Sequence, residues 1–211
     1  MKRIYFVRHG ITGGNETKSY QHLDTPLSET GREQAGVLAQ RFAHIPFDIL
    51  VSSTMERALE TARIIAEKTG HTVVSEGLFH EILRPSVVRG KAMADPEVLQ
   101  ALSIARSLWT EKEKRHSDEE NFHDLKSRAL RAIEYLVARE EEKIVVVTHG
   151  TILKMIVVVM MNGEDLAPGT WEKLEQFFFT NNTGITVLEY DNEHHPKRWQ
   201  LITWNDHAHL A

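Results

Sequence analysis

The sequence contains no cysteine, which excludes disulfides, thiolate nucleophiles and cysteine-ligated zinc. Any covalent chemistry must therefore run through another side chain. Long apolar runs are missing as well. Lys2 and Arg3 place charge near the amino terminus, but the apolar run behind them stops at Val7. That is too short for the core of a secretory signal, and no stretch reaches membrane-spanning length. A cytoplasmic location is the expectation. Positive charge is not in excess either. The chain has 25 Lys and Arg against 30 Asp and Glu, a formal net charge of -5, so neither nucleic acid nor a membrane is expected as a partner. A local arginine cluster would still concentrate a phosphorylated ligand. Repeats, low-complexity tracts and linkers are absent, and no signal sets an oligomeric state. The 211 residues, 41% of them hydrophobic and 26% charged, are expected to form a single domain, 1–211, with a sizeable core.

What is present is an alternation of strand-like and helix-like segments. Ile4 to Val7 is β-branched and aromatic, reads as a strand buried on both faces, and stops at Arg8-His9-Gly10. Gly10, Gly13 and Gly14 loosen the loop that follows, and Asn15 adds an amide able to hold that loop or touch a ligand. A helix carries Ala35, Leu38, Ala39 and Phe42, and Asp48 to Val51 forms a second strand closing at Ser52-Ser53. Ser53 followed by Glu56 has the form of a capping box. It would open a helix with Met55, Ala58, Leu59, Ala62, Ile65 and Ala66 on its buried stripe and Arg57 in its first turns.

Thr72 to Val74 is a third short strand, after which the alternation lapses from about Ser75 to Gly90. Asp95-Pro96 opens a helix with Leu99, Leu102, Ala105 and Leu108-Trp109 on one side. The charged run from Glu111 to Glu120 reads as a solvated helix end and loop. Another amphipathic helix bears Phe122, Leu125, Ala129, Ala132, Ile133 and Leu136. The run most typical of a strand, Ile144 to Val147, ends at Thr148-His149-Gly150. An almost wholly apolar helix follows from about Thr151 to Met161, with Asn162-Gly163 as terminator. Phe177 to Phe179, Ile185 to Tyr190 and Trp199 to Trp204 read as later strands, the last two as a hairpin turned through Asp191-Asn192.

Repeated strand-helix-strand units favour a mainly parallel sheet covered by helices on both faces, a three-layer α/β/α architecture. Ligands of such sheets bind outside the carboxyl ends of the strands. Arg8 and His9 follow the first strand, Arg57 the second and His149 the fourth, so four basic or potentially basic side chains meet at one edge. Like charges gathered there repel unless a ligand supplies negative charge, which suits a dianionic phosphate. Gly150 and Thr151 begin a helix directly after His149, so free backbone N–H groups would point to the same place.

Arg8-His9-Gly10-x-Thr12-x-x-Asn15 resembles the signature of the histidine phosphatase superfamily, which includes the cofactor-dependent phosphoglycerate mutases. Four further stretches are similar to family patterns: Leu27-Ser28-x-x-Gly31-x-x-Gln34-Ala35, Ser52-Ser53-x-x-x-Arg57-Ala58, Val147-Thr148-His149-Gly150 and Asn182-Thr183-Gly184. The closing Asn205-Asp206-x-x-His209-Leu210 is similar as well, so the resemblance runs almost from end to end. For Ser28, Gln34, Asn182 and His209, capping and packing suffice as explanations.

The resemblance implies a phosphoglycerate mutase-like fold and a metal-independent phosphatase with no cofactor. His9 would be the nucleophile that forms a phosphohistidine, and Arg8, Arg57 and His149 would hold the phosphoryl oxygens, with Asn15 and Gly150 at the same group. The acid is expected after the third strand, where Phe79-His80-Glu81 resembles the family's Leu-x-Glu; Glu81 is the first choice and Glu76 the second. Ile82 to Gly90 departs from the family's common Gly-x-Trp-Glu-Gly continuation and lacks the Arg-x-Tyr-Gly of the mutases. Hydrolysis of a small phosphorylated substrate is therefore expected over mutase activity or non-catalytic phosphate sensing. Arg84 and Arg89 are available for a second acidic group of the substrate. Glu120-Asn121-x-x-Asp124-x-x-x-Arg128 weakly echoes another family segment and reads as helix entry. The histidine pairs His194-His195 and His207-x-His209 have no carboxylate at a metal-binding spacing, so no metal site is expected.

Overall fold

The computed structural model describes residues 1–191, 193 and 198–211. Its strands are β1 (Lys2–Arg8), β2 (Ile49–Ser52), β3 (Val73–Ser75), β4 (Lys143–Thr148), β5 (Ile185–Asp191) and β6 (Arg198–Asp206). The helices are α1 (Gly13–Glu16), α2 (Glu29–Phe42), α3 (Glu56–Thr69), α4 (Pro96–Ser107), α5 (Phe122–Ala138), α6 (Gly150–Asn162) and α7 (Pro168–Glu175). The strands form one sheet in the order β3-β2-β4-β1-β5-β6. The first four in that order are mutually parallel, and β5 and β6 pair antiparallel along the other side. The expectation of a mainly parallel sheet in three layers holds.

Alternation along each strand divides the core. Ile4, Phe6, Val51, Ile144 and Val146 face one side, under α5 and α6. Tyr5, Val7, Leu50, Val145 and Val147 face the other, against α2 and α3. Strands apolar at every position must lie between two helical layers, and β1 and β4 are central for that reason. Helix α6 buries seven apolar side chains, worth roughly 10–20 kcal/mol at about 1.5–3 kcal/mol each. No helix among the described residues is long and apolar enough to cross a membrane.

Register brings the strand ends together. Arg8 stands opposite Thr148 and Val147 opposite Ser52, so residues following β1, β4 and β2 emerge side by side.

Several local expectations are corrected. Helix α3 starts at Glu56 with Met55 as its N-cap and no side-chain cap, because the Ser53 hydroxyl is engaged by the Met55 N–H and by His149. On α4 the buried residues are Val98 and Ala101, while Leu99 is exposed. Phe177 to Phe179 form no strand. Pro168 starts the short helix α7 before them, Phe177 closes its end through a backbone bond to Leu174, and Phe178 packs on Trp204. Glu119 and Glu120 are not solvated, since both carboxylates are engaged inside the fold. The turn expected at Asp191-Asn192 and the pair His194-His195 involve positions outside the described residues.

Candidate active site

His9 follows β1 directly. Its N–H donates to the Thr148 carbonyl at 3.0 Å, and its own carbonyl accepts from Asn182 Nδ2 at 2.8 Å. The ring is oriented by Nδ1, 2.7 Å from the Gly10 carbonyl. A carbonyl only accepts, so Nδ1 carries the proton, and in the neutral ring the lone pair lies on Nε2. Burial, and then the Arg57 and Arg8 charges, hold this histidine well below its usual range, against the opposing pull of the Gly10 carbonyl. The imidazole is neutral, with Nε2 available for attack.

The loop after His9 is pressed against the start of α2. A Cβ on Gly10 would collide with the Gly31 carbonyl, and one on Gly31 with the Ile11 carbonyl, so only glycine fits at either position. Gln34 Oε1 accepts the Ile11 N–H at 3.0 Å, and Thr61 Oγ1 accepts the Gly10 N–H at 3.1 Å. Ser28 caps α2 at the Gly31 N–H. Asn15 completes a capping box on α1 through its Oδ1; among the described residues its Nδ2 has no hydrogen bond.

Arg8 donates from Nη1 to the Thr180 carbonyl at 2.6 Å, and Arg57 from Nη1 to the His22 carbonyl at 3.1 Å. Burial lowers both guanidiniums, Arg57 to about 10, while Glu81 opposes the fall. His149 has no exposed surface and lies behind His9, ring centres 5.0 Å apart. Burial, then Arg57, keeps it neutral. Its Nε2 is 2.8 Å from Ser53 Oγ, which already accepts from the Met55 N–H. Among the described residues the Ser53 proton has no other hydrogen-bond acceptor, so it is donated to Nε2 and the His149 ring proton falls on Nδ1. Three buried N–H donors, at Arg8 Nε, Arg57 Nε and His149 Nδ1, then lack an acceptor among the described residues. Leaving such groups unmet costs about 1–3 kcal/mol each, which a phosphoryl group's oxygens would offset.

Of the two carboxylates, Glu81 lies at the site. It lines a cleft of about 280 Å³ together with Arg8, His9, Asn15 and Arg57. Glu76 instead caps the Leu78 N–H at 3.0 Å. The expectation of free N–H groups at the start of α6 is corrected for Thr151, whose N–H Glu81 accepts at 3.1 Å along with that of Ile152 at 3.2 Å, while the Gly150 N–H has no hydrogen bond among the described residues. Gly150 is the helical residue beside the cleft floor, where a Cβ would stand 3.8 Å from Arg8 Nε and 4.0 Å from Glu81 Oε2. Arg84 and Arg89 also line the cleft. Arg89 leans on Asp118 at 3.4 Å, and Arg84 lies over the Tyr20 ring at 5.4 Å.

Sequence reasoning missed the framework behind Glu81. Arg128 forms a two-point ion pair with Glu120 at 2.8 and 2.6 Å and donates to the carbonyls of Leu78 and His80. Glu120 in turn accepts the Leu83 N–H. Asn121 and Asp124 do form the capping box of α5, as the reading of helix entry required. The eight-residue spacing of Glu120 and Arg128 was the available signal. Asn182 and His209 have the packing roles expected of them, His209 Nε2 lying 3.1 Å from Thr183 Oγ1. No group of three His, Cys, Asp or Glu among the described residues is placed to hold a metal ion.

A family model described as histidine phosphatase superfamily (branch 1) matches residues 4–207. The chain belongs to this superfamily. Among its relatives is a probable phosphatase of Schizosaccharomyces pombe, 29% identical over 99% of this chain and 95% of that one. Phosphoglycerate mutase-like protein 4 of Arabidopsis thaliana is 28% identical over 98% and 86%. Among solved structures, mycobacterial glucosyl-3-phosphoglycerate phosphatase in complex with VO3 superposes with a TM-score of 0.78 at 26% identity, covering 97% of this chain and 99% of that one. A covalent phosphohistidine is the general chemistry of the histidine phosphatases.

Proposed function

We propose that the protein hydrolyses small phosphomonoesters in the cytoplasm through a phosphohistidine on His9, without metal or cofactor. The observation that carries this reading is the set of three unmet buried donors around an imidazole whose Nε2 lone pair is free. Nε2 attacks phosphorus, the bond to the leaving oxygen breaks, and Glu81 gives that oxygen its proton. Water then attacks the phosphohistidine, Glu81 takes the water's proton, and inorganic phosphate leaves. Arg8, Arg57 and His149 meet the equatorial oxygens in both steps, with Asn15 Nδ2 and the Gly150 N–H at the edge of the same group.

Brief reaction with 32P-labelled substrate and an alkaline quench should leave acid-labile label on His9, lost in His9→Ala. Acid-stable label on serine or aspartate would overturn the mechanism. Rapid exchange of 3- and 2-phosphoglycerate with little free phosphate would establish a mutase instead, and tight binding without turnover a sensor.

A further inference from the structure

A second cavity, of about 330 Å³, adjoins the catalytic cleft. Tyr20, Ile82, Leu83 and Arg84 line both. Between the two stands the proposed proton carrier: Glu81 is on the catalytic side, and the Thr151 whose N–H it accepts lines the second cavity. Displacement at phosphorus is in line, so the leaving group departs on the side away from His9. Its oxygen must pass Glu81 to be protonated. Ile82, Leu83 and Arg84, which follow Glu81 in the chain, line both cavities, so a leaving group too large for the cleft has a continuous wall leading into the second one.

That cavity is lined by apolar residues together with charged ones that carry a small excess of negative charge. Ile82, Leu83, Leu102, Trp109 and the largely buried Trp171 are among its lining residues. Arg84 and Arg106 are matched in number by Glu172 and Glu175, while Glu120 is neutralised by Arg128 and Glu119 is filled by N–H groups of His116 and Ser117. With Arg128 counted, three arginines stand against four glutamates, so a second anion would meet a net negative charge there. The Tyr20 backbone is tied to Gly90 and Lys91, so the partition formed by Tyr20 and Arg84 has a fixed base.

We infer that the substrate is a phosphomonoester of an uncharged alcohol with an apolar, ring-sized body, and that this second cavity receives the body. The inference rests on the phosphatase reading above and adds the substrate class to it.

The test is a series with nearly constant alcohol acidity: ethyl, 2-phenylethyl and 2-(1-naphthyl)ethyl phosphate, with 3-phosphoglycerate as the carboxylate-bearing member. kcat/KM should rise about tenfold or more per added ring system, as burial of a ring's apolar surface requires, and 3-phosphoglycerate should fall near ethyl phosphate. Ala105→Trp fills the cavity from α4, outside the catalytic residues. It should cancel the rise for the arylethyl esters while leaving ethyl phosphate, which has no ring to place there, within about twofold. A flat series, a preference for 3-phosphoglycerate, or equal losses on all esters in Ala105→Trp would overturn the substrate class while leaving phosphatase activity standing. Failure of every ester to turn over would bring down both readings.

Discussion

The basic floor of the cleft is set out by three adjacent parallel strands, β2, β4 and β1, whereas its acidic wall, Glu81, is carried by a loop beyond the last paired residue of β3. Arg8 and His149 are held by strand register and buried backbone. Glu81 is held by helix α6 on one side and by the Arg128–Glu120 pair on the other. The part that binds charge is thus templated by the sheet, and the part that moves protons is suspended from side chains distant in sequence. Four experiments separate the two.

The largest effect is expected at the tip of the wall. Glu81→Gln should lower kcat on alkyl phosphates by about 10²–10³-fold and on p-nitrophenyl phosphate by less than about tenfold, since nitrophenolate departs without a proton. Glu76→Gln should leave both near wild type, and the reverse outcome would exchange the two carboxylates.

Next comes the suspension itself. Arg128→Met leaves Glu120 buried without its partner and should cost about 3–5 kcal/mol in urea unfolding. At temperatures where it is folded, it should lower alkyl phosphate turnover about 10–100-fold with a smaller loss on p-nitrophenyl phosphate, the Glu81 pattern in weaker form. Equal losses on both substrates would confine the pair to a role in folding.

Acid sharpens the comparison from the floor. His9 and His149 have folded values depressed below 6.5, so each contributes stability that is present above about pH 6.5 and is lost as pH falls toward the folded value. Melting temperature should fall from pH 7 to pH 5, with a slope of up to about 1.4 kcal/mol per pH unit for each histidine. His149→Gln should flatten the slope; an unchanged slope would place the acid sensitivity elsewhere.

The smallest effect belongs to Ser53. Ser53→Ala removes the donor to His149 Nε2 and should weaken vanadate binding and lower kcat about tenfold, equally for alkyl and p-nitrophenyl phosphates. A loss confined to alkyl esters would mean that Ser53 acts on the wall.

This division also explains what could be read from the residues alone. Strand ends are marked where an apolar run stops, so Arg8, His9 and His149 were readable, and α/β alternation places such ends on one edge. The loop from Ser75 to Gly90 has no periodicity, and its shape is decided by Glu120 and Arg128, 37 to 50 residues on. Likewise Ser53 has the spacing of a cap, but a neighbouring histidine claims its hydroxyl. Phe177 to Phe179 fit a strand by composition, but the backbone bond from Phe177 to Leu174 that closes α7 and the packing of Phe178 on Trp204 take them out of the sheet.

The contact between Gly10 and Gly31 bears on how this scaffold can be altered. Two backbones touch there with no room for a methyl group on either side, so the loop bearing the nucleophile and the first crossover helix cannot drift independently. A library that randomises residues 11–15 to recruit new substrates would keep its yield of folded variants only with both glycines held constant. Any circular permutant opened between Gly10 and Gly31 would have to rebuild that contact without a covalent link.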